Sequence, residues 1–251
     1  MGLSIVKLAR WDGQRSDRHA NDDLIMAVLN LYAVLRQLPL FDDLYLKMQA
    51  QNVAIVDLQI METERQLLRE LYAQETTPLA EAMAVSANSQ MWVFALYELL
   101  RTWLQRAREL LAFGATLWGQ PPKKRKQLLD EELKKVRGVA ADGPAVAMRR
   151  RAVRTVTLKR NRDRLQKAVE RVMPLFRRLE ALRVSLAKHE VAKGRGAVAF
   201  APGYGRIDPL TGSIKWQFEF KDGMSDMLSR REIADELRHL NRGGSTVGPA
   251  A

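Results

Sequence analysis

Residues 88–113 read NSQMWVFALYELLRTWLQRARELLAF. Trp92, Leu96, Leu99, Trp103, Ala107 and Leu110 recur every three or four positions, so they share one face of an α-helix. Val93, Leu100, Leu104 and Leu111 widen that face beyond what a surface helix needs. The segment is therefore predicted as the central helix of a helical core, with Trp92, Leu96 and Trp103 buried. Gly114 is expected to end it. A ligand pocket is the other use for paired tryptophans, but their helical spacing favours packing.

On the N-terminal side, NDDLIMAVLNLYAVLRQL (21–38) repeats Leu24, Val28, Leu31, Leu35 and Leu38 at helical spacing. Asn21 or Asp22 can cap it and Pro39 ends it. A second helix is predicted over 41–73. Its patch VAIVDLQI has strand character but no flanking turn residues. Residues 73–83, AQETTPLAEAM, read as a connector. Residues 1–20 read as irregular.

On the C-terminal side, GQPPKKRKQLLDEELKKVRGVAADGP (119–144) is charged and bracketed by Pro and Gly. A mobile basic insertion is expected near 119–146, outside the core. Pro174 is expected to start or kink a fourth core helix, 174–191, whose Leu175, Phe176, Leu179, Leu182 and Leu186 keep the helical period. Beyond Gly194 the pattern changes. SIKWQFEF alternates Ile214, Trp216, Phe218 and Phe220 on one face, and DPLTG has the residues of a tight turn. A β-hairpin is expected, then a short helix in SRREIADELRHL capped by Ser225 or Ser229. The expected architecture is all-α: an antiparallel bundle over 21–193, a small hairpin and terminal helix over 194–242, and a disordered tail over 243–251.

The chain has 251 residues, 47% of them hydrophobic, and no cysteine. It can bury a sizeable core, and thiolate metal sites, disulfides and cysteine nucleophiles are excluded. No run approaches the roughly 18 apolar residues of a membrane span, and no signal peptide is expected, so a cytoplasmic location and no stable membrane insertion are expected. Net charge is +12, placed unevenly. Residues 121–196 hold 23 lysines and arginines against 8 acids, whereas the rest holds 18 against 21. RNA or another polyanion is the partner such asymmetry implies; a solvated helix face is the plainer reading. Arg149, Arg150, Arg151, Arg154, Lys159, Arg160, Arg162 and Arg164 are the candidate nucleic-acid-binding residues. Few aromatics interleave with them, so phosphate contact is expected rather than base stacking.

There is no P-loop, no Gly-x-Ser-x-Gly elbow, and no histidine pair at metal-ligand spacing, so neither metal nor cofactor is expected. One pair remains. Arg183 and His189 lie six positions apart at the end of the last bundle helix, in ALRVSLAKHEVAKG. Cations are favoured near a helix C-terminus whatever their function. The chemistry that suits this pair is metal-independent RNA cleavage. A neutral imidazole would take the 2′-hydroxyl proton while a guanidinium holds the scissile phosphate.

With that Arg-x5-His pair, the helix WVFALYELLRTW and the EVAKG that precedes a hairpin, the chain resembles the HEPN family of helical domains. The resemblance covers residues 21–193. It implies an antiparallel helical bundle, a homodimer in which two Arg–His motifs share a cleft, and metal-independent ribonuclease activity in toxin or phage-defence systems, with a possible cognate antitoxin. It makes Arg183 and His189 the catalytic candidates and Glu98 and Arg101 the supporting polar residues. Val184 follows the arginine where many members carry Asn, Asp or His. Other members are non-catalytic, which leaves a helical module that binds nucleic acid or protein as the second expectation.

Overall fold

The computed structural model describes residues 31–74, 76–135, 143–188, 205–219 and 224–240. Most of them are helical. Helix α1 is described over 31–37, and Leu31, Val34, Leu35 and Leu38 are buried from it. Leu40 follows with a φ of 74°, reversing the chain so that Phe41 buries beside Trp103 at 6.4 Å between ring centroids.

Helices α2 (Leu44–Gln74) and α3 (Leu79–Trp118) form a long antiparallel hairpin. Asp43 accepts from the Leu46 N–H at 3.1 Å at the start of α2. Trp92 Nε1 donates to the Val53 carbonyl at 2.9 Å and Trp103 Nε1 to the Pro39 carbonyl at 2.7 Å. Both indoles are buried with their one donor satisfied, as the spacing predicts.

Helix α3 exceeds its expected limits at both ends. Its 40 residues, about 60 Å of helix, begin at Leu79 within the expected connector and run past Gly114. Leu79–Met83 are strong helix formers with no turn residue among them, so Pro78 is the natural boundary. Gly114 does not stop the helix. It is buried, and a Cβ there would lie 2.8 Å from Arg162 Cδ, so the glycine makes room for a crossing side chain. The helix ends at Gly119, whose N–H reaches the Ala115 and Leu117 carbonyls.

Helix α4 (Pro122–Lys135) buries no residue; Leu129 and Leu133 touch the core partly. Helix α5 (Pro144–Thr155) leads through a tight bend into α6 (Lys159–Lys188), which packs on α3. Pro174 neither starts nor ends α6. It lies inside the 30-residue helix with its ring exposed, where the freed carbonyl can turn to water.

The expected hairpin is a three-stranded antiparallel sheet in the order β1 (Gly205–Ile207), β2 (Ile214–Glu219), β3 (Ser225–Ser229). Ile214, Trp216 and Phe218 are buried on the face that β2 turns to α6 and α3. Leu228 of β3 stands opposite Trp216. Between β1 and β2, the Asp208 backbone N–H donates to Ser213 O, Gly212 takes a φ of 73°, and the Tyr72 hydroxyl donates to Pro209 O at 2.7 Å, tying the turn to α2. Ser229 is the cap of helix α7 (Arg230–His239), with a reciprocal bond from Glu232.

Candidate nucleic-acid interface

The basic residues fall into two classes. Some are neutralised by carboxylates: Arg178 by Asp226 and Glu236 at 3.0 and 2.7 Å, and Lys215 by Asp208 and Glu232 at 3.0 and 3.2 Å. Arg149 lies 3.9 Å from Glu109 and 3.7 Å from Glu132, and Arg151 lies 3.6 Å from Asp42. Others keep their charge. Arg162 donates to the Gly114 carbonyl at 3.2 Å and lies over the Trp118 ring at 5.1 Å, as Arg125 does at 4.5 Å. Arg164 reaches only the Gln37 carbonyl at 3.5 Å. Arg150, Arg154, Lys159 and Arg160 have no carboxylate partner among the described residues.

Arg160, Arg164, Lys167 and Arg171 stand at i, i+4, i+7 and i+11 on α6, all exposed, so they share one helical face about 16 Å long. Arg154 and Lys159 are exposed at the bend that opens this face. Sequence reasoning took in the bend and the basic stretch from Arg149 to Lys167; the helical register that lines these cations up with Arg171 needed α6 to begin at Lys159 rather than at Pro174.

Arg183, Glu98 and Arg101 come together at the other end of α6. The half-buried Arg183 guanidinium lies over the Tyr97 ring at 5.2 Å. Tyr97 stacks on Phe176 at 5.4 Å and donates to Glu180 at 3.3 Å. Burial, and then the Glu180 charge and hydrogen bond, push the Tyr97 phenol above its usual range, while Arg183 pulls the other way. Glu98 and Arg101 pair at 2.7 Å one turn along α3, and that hydrogen bond raises the arginine further. Tyr97, Arg101, Gln105, Arg108, Phe176 and Glu180 line an open groove of about 420 Å³ between α3 and α6. His189, the other half of the expected pair, lies outside the described residues.

A buried ionic cluster had gone unforeseen. Arg230 is fully buried and donates to both Glu64 oxygens at 2.8 and 2.7 Å and to Asp57. Arg238 adds 2.6 Å to the second Asp57 oxygen, Arg231 reaches Glu64 at 3.3 Å, and the Trp92 ring lies 5.8 Å from the Arg230 guanidinium. The one available signal was Asp57, the sole charge between Met48 and Met61. Its carboxylates and guanidiniums pair in charge across α2 and α7, an anchoring role rather than an open site.

Among the described residues no group of three or more His, Asp or Glu is placed to hold a metal ion, and no helix is long and apolar enough to cross a membrane. No protein-family model matches the chain, and no curated protein or solved structure is significantly similar to it.

Proposed function

We propose that this protein binds the phosphate backbone of RNA through the exposed cations of the α5–α6 bend. The observation that supports the reading is the exposed set Arg154, Lys159, Arg160, Arg164 and Lys167, none of which has a carboxylate partner among the described residues. Elsewhere on the molecule many exposed arginines are paired with acids, as Arg65, Arg69 and Arg101 are. Unneutralised cations on one face attract a polyanion by counterion release.

Titration of a labelled single-stranded RNA at several salt concentrations tests this. Five contacts correspond to a slope of log K against log salt of roughly −3.5. In Arg160→Glu/Arg164→Glu/Lys167→Glu binding falls and the slope flattens, with circular dichroism unchanged. Binding that ignores salt and the triple variant overturns the reading.

A second reading, that the bound RNA is also cleaved without a metal, is favoured by Arg183. Its guanidinium is half-buried and held over Tyr97 beside a groove that also carries Arg101. There Arg183 would hold the scissile phosphate and His189 would act as base, in the toxin or defence role that the family resemblance implies. RNA incubated with EDTA should be cut by the wild type and spared by His189→Ala and Arg183→Ala. Intact RNA in all three samples removes cleavage and leaves binding standing.

A further inference from the structure

Two acid-free runs of the chain meet at one tryptophan. Residues 110–129 and 143–162 contain no Asp or Glu, although 28% of the chain is charged. In sequence few aromatics interleave with the cations of these runs, but the fold places one among them. Trp118, the last residue of α3, has the Arg125 guanidinium of α4 at 4.5 Å and the Arg162 guanidinium of α6 at 5.1 Å from its ring centroid. Arg125 donates to the Gln120 carbonyl and Arg162 to that of Gly114, and neither has a carboxylate partner among the described residues. Lys123, Lys124 and Lys126 are exposed beside Arg125. Around the start of α6, Lys159 stands between Arg162 and Arg160, about 60° from one and about 100° from the other. It thereby joins Trp118 to the cationic face of that helix. Trp92, Trp103 and Trp216 are at most 1% exposed, whereas Trp118 is 40% exposed, and its indole N–H has no acceptor among the described residues.

We propose that Trp118 is a base-stacking platform, so that the RNA bound here is single-stranded. The inference rests on the RNA-binding reading above and adds what the site selects. Cations without acids select a polyanion but no particular form of it. An exposed indole among them favours a partner with flat π faces, and in RNA those faces are free only where the strand is unpaired. In a duplex each base is covered by its neighbours. The guanidiniums of Arg125 and Arg162 support such a contact. They are drawn to the ring by cation–π attraction, and they lie where the phosphates flanking a stacked base would pass. An anionic membrane also attracts cations, but it takes a contiguous apolar face for insertion. The residues that follow Trp118, GQPPKKRKQ at 119–127, include no leucine, isoleucine, valine or aromatic residue.

Binding of one labelled RNA oligonucleotide, single-stranded or annealed to its complement, tests this. The wild type should prefer the single strand roughly tenfold or more. Trp118→Leu should weaken single-strand binding roughly tenfold and leave duplex binding alone. It should also keep the salt slope, because a neutral side chain releases no counterions. Trp118→Phe retains a π face and should stay within about threefold of the wild type. The single strand should quench the fluorescence of the wild type more than that of Trp118→Phe. Circular dichroism should be the same for all three proteins. Salt-dependent binding that Trp118→Leu leaves intact overturns the stacking inference while phosphate binding stands, and so does equal affinity for both forms of the RNA. A wild type that the single strand binds without quenching overturns it too, with no variant needed. A wild type that binds no RNA overturns both readings. Binding of phosphatidylglycerol vesicles that Trp118→Leu abolishes, with RNA binding unaltered, gives the tryptophan to a membrane and overturns the inference.

Discussion

Arg230 is the residue that ties α7 to α2. Its guanidinium is fully buried, holds two carboxylates, and keeps one donor, Nε, without a partner. Removing it leaves Asp57 and Glu64 charged and buried with only the flanking Arg231 and Arg238. Arg230→Ala is expected to lose about 3–5 kcal/mol in urea denaturation. The triple variant Arg230→Met/Asp57→Asn/Glu64→Gln should lose less than the single one, because no fully buried charge is then left unpaired: Arg231 is partly exposed and Arg238 keeps Asp235. A triple variant as unstable as the single one would mean that packing, not charge, is at stake. Little of this was legible in the sequence. Trp92, Leu96 and Trp103 announce their burial through local spacing, whereas Arg230 meets Glu64 at a separation of 166 residues that no local pattern encodes. Arg183 was legible as a candidate only through the chemistry of an arginine and a histidine on one helix end, and Glu98 and Arg101 only through the family resemblance.

At the scale of elements, α1, α2, α3 and the second half of α6 declared themselves through periodicity, whereas their limits, α5 and the basic first half of α6 did not. Gly114 carries a stop signal that Arg162 overrides by packing across it, and Pro174 is absorbed on the solvent side of α6. The turn DPLTG was legible because Pro and Gly mark it, but β3, Ser225–Ser229, escaped notice since SDMLS lacks strand alternation. Gly212 is the most constrained point of that turn. Its φ is 73°, and a Cβ would lie 2.3 Å from the Glu64 backbone oxygen. Gly212→Ala should therefore cost about 3 kcal/mol or more and detach the sheet before the helices melt, seen as loss of the Trp216 fluorescence environment at low urea. Asp208 makes the same turn sensitive to acid. Burial disfavours its carboxylate, but the Leu210 N–H, Lys215 and the Thr211 N–H outweigh that and hold its pKa below the ordinary 3.8. A lowered carboxylate stabilises the fold above its unfolded pKa, and that stabilisation disappears as pH falls through the folded value. The wild type should thus lose stability below about pH 4 more steeply than Asp208→Asn, as thermal melts from pH 6 to 3 would record.

For the whole molecule, charge is sorted by place: cations on the α5–α6 side and ion pairs where α7 meets α2. Helix α4 stands apart because it buries nothing, so trypsin should cut first at its exposed Lys134 and Lys135 and leave the rest of the bundle associated. First cleavage within α3 or α6 would contradict that order. The cluster that closes the fold also has a place in time. During synthesis Asp57 and Glu64 leave the ribosome well before their partners, and at 5–20 residues per second the 166 positions between Glu64 and Arg230 take roughly 8–33 s. Over that interval the nascent α2–α3 hairpin has a core with two carboxylates and no guanidinium to receive them. The interior around Asp57 and Glu64 is thereby completed only once α7 has been translated.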